Sequence, residues 1–124
     1  MFDNMKMMSA VAGLMKNKDK IRDAGARIKE KSETIRVTGE SGMGAVRVVV
    51  NGAMKVQSVE LAPGLVTGMN ADDKTRALAG QLIAEAVNDG ITKAQMKMKE
   101  AIDEEAKGLG FENGIPGLQG LLGA

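Results

Sequence analysis

Apolar residues recur every seven positions through the first third of the chain, at Met7, Leu14, Ile21, Ile28 and Ile35. Residues 5–33 hold no proline and only two glycines, Gly13 and Gly25, so one long helix is predicted there. The companion row, Val11, Lys18, Gly25 and Ser32, is weak, so this helix is expected to pack on something rather than to form a good zipper. From Glu33 the pattern turns to β-branched residues and turn signals. Residues 34–38 predict a first strand, 39–44 a loop whose three glycines permit positive φ, and 45–50 a second strand. Asn51-Gly52 is the strongest hairpin signal, and residues 54–61 make a third strand closed by Pro63-Gly64. Three strands joined by tight loops form an antiparallel meander. Val46, Val48 and Val50 share one face and Val49 takes the other, so a helix should cover the first face and a second cover is expected on the other.

Residues 65–70 read as a loop, Asn70 as an N-cap, and Asp72 and Asp73 as first-turn acids suited to the helix dipole. Leu78, Leu82, Ile83, Ala86, Val87, Ile91, Ala94, Met98 and Ile102 then continue at helical spacing until Gly108. The fold class is therefore α+β, in the order α-β-β-β-α, with one domain over 1–108 and a flexible Gly-rich tail over 109–124. Helices of about 29 and 36 residues span roughly 44 and 54 Å, against about 23 Å for a seven-residue strand. Both helices are expected to overhang the sheet, and their apolar stripes then need each other or a second chain.

Composition sharpens that expectation. The only aromatic residues are Phe2 and Phe111, so the core must be aliphatic, with a large share of the ten methionines. A core of that kind in 124 residues lies near the stability margin, which favours a partner chain. Met5, Met7, Met8 and Met15 fit soft core and dimer packing; an adaptable partner or membrane surface is the other reading. The chain has no cysteine, lacks the basic-then-apolar order of a signal peptide and has no apolar run near 20 residues, so it is expected to be cytoplasmic.

Net charge is only +1, but it is polarised: residues 1–36 carry nine Lys/Arg against five Asp/Glu, and 71–124 carry six against nine. At 100° per residue, Lys6, Lys16, Lys20, Arg27 and Lys31 fall in one stripe of the first helix, and Lys18, Arg22 and Lys29 in a second. The seven-residue apolar row runs between them, with Asp19, Asp23 and Glu30 opposite. Such rails can neutralise phosphates. They can equally contact an acidic partner helix, and the second helix is acidic.

Enzyme chemistry lacks its parts. Without His or Cys, neither a Ser-His-Asp nor a Cys-His arrangement can be assembled. Residues 39–43 miss the nucleophile elbow because Met43 stands where its last glycine belongs, and the loop has no Gly-Lys-Ser/Thr for a P-loop. Its glycines are explained by a hairpin turn; backbone contact with a phosphate is the alternative. Asp103, Glu104 and Glu105 diverge on a helix and read as a solvated helix end rather than a metal site.

The run Val37-Thr38-Gly39-Glu40-Ser41-Gly42-Met43-Gly44-Ala45-Val46 is followed by Val48-Val49-Val50-Asn51-Gly52-Ala53 and then Val59-Glu60-Leu61-Ala62-Pro63. Together with the Lys-rich helix before it and Ala86-Val87-Asn88-Asp89 after it, this segment resembles the YbaB/EbfC family over roughly residues 3–108. The resemblance implies an α-β-β-β-α fold, a tweezers-like homodimer, a nucleoid-associated role and DNA binding with modest sequence preference. Gly90, where the family usually has alanine, and the glycine-rich tail depart from the pattern. With the family in view, phosphate binding is the favoured role of the basic stripes, and Lys16, Lys18, Lys20, Arg22, Arg27 and Lys29 are the expected DNA contacts, made to the duplex backbone. No aromatic residue is placed to stack on bases, which disfavours single-strand recognition. No cofactor, small-molecule substrate or membrane is expected. A non-catalytic protein–protein interaction module is the alternative.

Overall fold

The computed structural model describes residues 18–110. The first half of the expected long helix, including Lys6, Lys16 and the methionines of its start, lies outside the described residues, as does the tail from residue 111. The described chain runs α1 (Lys18–Thr34), β1 (Arg36–Ser41), a 3₁₀ turn (Gly42–Gly44), β2 (Val46–Asn51), β3 (Val56–Leu61), α2 (Pro63–Ala71) and α3 (Asp73–Gly108). Two compact units divide it: Lys31–Glu100 forms one, and residues 18–30 with 101–110 are the described parts of the other.

In the first of these units the strands form an antiparallel sheet in the order β1-β2-β3, the expected meander. Val46, Val48 and Val50 are fully buried, and Ala86 and Ala94 of α3 complete the cluster. Val37, Leu61, Leu65, Leu82, Ile83, Val87 and Ile91 pack around it. The centre of the core is thus valine and alanine, with Met54 among the residues packed against it. Met98 is buried, but Met96 is 62% exposed and Met43 fully so. Small residues win here because helix and sheet approach closely, leaving no room for a longer side chain.

The other face of the sheet needs no cover. Cross-strand neighbours share a face, so Arg47 sits between Glu40 and Glu60, and Val49 between Thr38 and Ser58. Arg47 pairs with Glu40 at 3.2 Å. This polar surface corrects the expectation, drawn from Val49 alone, of a second covering layer.

Three local expectations also change. Thr34 ends α1, and β1 extends through Gly39, Glu40 and Ser41, so the six-residue loop shrinks to the Gly42–Gly44 turn. Gly42 and Gly44 do adopt positive φ, at 58° and 87°, whereas Gly39 is an extended strand residue opposite Val48. The reason for Gly39 is contact: a methyl group there would lie 2.1 Å from the Ala86 carbonyl oxygen.

Asn51-Gly52 marks a hairpin, but not a two-residue turn. The Met54 amide donates to the Asn51 carbonyl at 3.1 Å and the Asn51 amide to Lys55 at 2.9 Å. Met54, at φ 63°, takes the left-handed position, the arrangement of a three-residue hairpin loop. Asn51 is 7% exposed, and its side-chain oxygen accepts the Ala53 and Lys55 amides at 2.9 and 3.0 Å. Gly52 packs where a methyl group would meet the Met98 sulfur at 2.7 Å and the Ser32 α-carbon at 2.8 Å.

The expected loop at 65–70 is helical instead. Pro63 opens α2 behind an extended Ala62, where its missing N–H costs nothing, and Leu65 docks on the core. Two further glycines and two β-branched residues within α2 hide this helix from propensity. The cap of α3 shifts accordingly from Asn70 to Asp72, whose carboxylate accepts the Lys74 amide at 2.9 Å. The 36 residues of α3 then run unbroken to Gly108.

Candidate nucleic-acid interface

Helix α1 displays its cations as the spacing predicts. Lys18, Lys20, Arg22, Arg27 and Lys29 are all exposed, while Ala24 is buried and Ile21 and Ile28 are half-buried. Lys18, Arg22 and Lys29 fall within 40° of one another around the helix at 100° per residue. Lys16 lies outside the described residues.

The two arginines are already engaged. Arg22 donates to Asp19 at 3.0 Å, one turn earlier on the same helix. Both side chains are mostly exposed, at 74% and 82%, so this pair is weak and exchangeable. Arg27 is different. Its guanidinium donates three hydrogen bonds to Glu105 of α3, at 2.9 to 3.0 Å, and the Glu105 side chain is only 13% exposed. Hydrogen bonding to Glu105 raises the Arg27 pKa above its already high value; burial opposes the rise, and the charges of Glu105 and Asp23 add to it. Ala101, Ile102 and Ala106 are buried on the same stretch of α3.

Glu105 is therefore not the solvated helix-end acid that its neighbours Asp103 and Glu104 suggested. The pairing spans 78 residues. Its one sequence signal was the coincidence of a basic first helix with an acidic second one. Lys20, Asp23, Arg27 and Glu105 line a surface pocket of about 210 Å³ with Gly108 and Leu109. Among the described residues, no group of acidic side chains is arranged to hold a metal ion, and no helix is long and apolar enough to cross a membrane.

This fold and its lysine-bearing first helix agree with a family model described as the YbaB/EbfC DNA-binding family, which matches residues 5–109. The chain belongs to that family. Membership makes it a DNA-binding protein of the nucleoid-associated kind, and the match takes in all five described candidates as well as Lys16. Among solved structures, it is similar to an uncharacterized protein of Helicobacter pylori, HP0035, with 22% identity over 66% of this chain and 89% of that one, at a TM-score of 0.49.

Proposed function

We propose that this YbaB/EbfC member grips duplex DNA as a homodimer with low sequence specificity, through basic residues of its first helix. It does so on the bacterial nucleoid, in the cytoplasm, without catalysis and without a cofactor. Family membership carries this reading; the exposed Lys18, Lys20, Arg22 and Lys29 side chains on α1 support it. Lysines on a helix surface neutralise phosphates as point charges and carry no base preference. Lys16 would extend the same rail. Arg27 joins it only by exchanging its Glu105 carboxylate for a phosphate, a swap that conserves a bidentate pair.

The deciding experiment is a salt titration of binding to two unrelated duplexes. Log affinity is expected to fall linearly with log salt, with a slope near −0.9 per phosphate neutralised, and to be similar for both sequences. A shallow slope, or a strong preference for one duplex, would contradict the proposal.

The Arg27–Glu105 pair favours a second reading, in which the basic stripes mainly join helices and the chain is a protein–protein interaction module. Charge reversal at Lys18, Arg22 and Lys29 separates the two. Loss of DNA binding with assembly intact supports DNA grip; loss of assembly supports the module.

A further inference from the structure

The two arginines of α1 hold their carboxylates in opposite ways. Arg22 and Asp19 stand one turn apart on the same helix, both mostly in solvent and joined by a single bond of 3.0 Å. Water and an arriving phosphate reach both partners, so this pair opens readily. Arg27 reaches instead to Glu105 of α3, and both residues belong to the unit described by residues 18–30 and 101–110. Its Nε and Nη2 donate to the two carboxylate oxygens together. Arginine clasps a phosphate with the same fork. The guanidinium is half-exposed while the carboxylate is mostly covered.

The surroundings suit an anion as well. Lys20 and Arg27 open onto the same pocket of about 210 Å³, which has room for a phosphate group. A carboxylate of the protein's own already sits on Arg27. Two things favour that carboxylate over a phosphate from outside. It is fixed to the same molecule, so it competes at an effective concentration on the order of millimolar or above. Drawing Arg27 away also leaves a mostly covered carboxylate without its cation, a costly state. Neither applies to Arg22.

We infer that Glu105 is an internal surrogate for a DNA phosphate, occupying the Arg27 fork and withholding one phosphate contact per chain. This rests on the DNA grip proposed above and names the residue that limits it. The lysines and Arg22 meet the duplex directly, and Arg27 stays in reserve. The hold on DNA is then weaker and more exchangeable than the cations of α1 alone would give. A purely structural brace between α1 and α3 predicts the opposite sign: losing the carboxylate would disturb α1 and weaken binding.

The test is a salt titration of the full chain on one duplex, with wild type beside Glu105→Gln, which keeps the side chain's shape and removes its charge. Glu105→Gln is expected to bind about threefold tighter or more in dilute salt. Its log–log slope should steepen by about 0.9 per chain, one added phosphate. Adding Arg27→Gln is expected to return the slope to the wild-type value. Asp103→Asn removes the same charge from the same stretch of α3 and should leave the slope unchanged. Glu105→Ala repeats the test with a good helix former, and circular dichroism reports the folding of each variant. A gain that survives Arg27→Gln, or that Asp103→Asn reproduces, reflects bulk charge and overturns the inference. Unchanged or weaker binding by folded Glu105→Gln overturns it too. In each of these cases a steep wild-type slope leaves the DNA grip standing. A shallow wild-type slope ends both.

Discussion

Gly39 of β1 and Gly90 at the middle of α3 meet backbone to backbone. A methyl group on Gly39 would lie 2.3 Å from the Gly90 nitrogen and 2.7 Å from its α-carbon. This contact lets the helix descend onto β1 far enough for Asp89 to accept the Glu40 amide and Lys93 to donate to the Thr38 carbonyl, closing the strand's outer edge. It also explains a glycine placed where helix propensity disfavours one by about 1 kcal/mol. Gly39→Ala is expected to destabilise by about 3 kcal/mol or more, since the obstructing atoms are backbone and cannot step aside. Gly90→Ala should cost less: its methyl meets the Val50 side chain at 2.7 Å, and the better propensity of alanine offsets part of the clash. Urea midpoints of the two variants check the order; equal losses would contradict it.

Gly25 and Gly80 lie in helices with nothing within 4 Å of an added methyl group. Alanine at either should stabilise by about 1 kcal/mol through propensity alone. Thermal melts provide the comparison, and the two gains should add because the sites share no partner.

Asn51 closes the β2–β3 hairpin with two bonds from its buried side chain. Asn51→Ala leaves two amides without their acceptor and should cost about 2 kcal/mol. Asn51→Asp keeps both bonds and should cost less. Chemical denaturation of the pair tests whether the bonds, rather than the turn conformation, carry the effect.

Met43 stands at φ 56° with its side chain fully in solvent. The left-handed conformation strains a residue that gains no packing in return. Met43→Asn, which tolerates that region, is expected to raise stability by roughly 0.5 kcal/mol. An unchanged or lower melting temperature would argue against strain at this turn.

The Asp89 carboxyl is held below its ordinary range first by the Glu40 amide and next by Lys93. The unfolded chain therefore takes up the proton before the folded one. The contribution of Asp89 is complete above the ordinary carboxylate pKa and drains away as pH falls through the lowered value. The stability advantage of the wild-type protein over Asp89→Asn should thus be full at neutral pH and vanish in acid. A difference that persists unchanged at low pH would mean the charge is not its source.

Local chemistry was readable where a residue's neighbours along the chain decide its state. The valine alternation of β2, the turn at Asn51-Gly52 and the apolar spacing of α3 each predicted their elements because period and turn chemistry act within a few residues. Propensity failed at α2, where tertiary docking of Leu65 overrides a glycine-rich sequence. It also misjudged Gly39, whose reason is a helix about fifty residues away.

The amino-acid order alone settled the α-β-β-β-α succession, the buried valine face and the cationic character of the first helix, since periodicity and charge count need no partner. Folding decided which cations are tied up and which strand edge is closed. Arg27 meets Glu105, and Asp89 and Lys93 meet β1, only after distant segments are packed together. Such pairings depend on distance in space, which the spacing of residues along a chain does not encode.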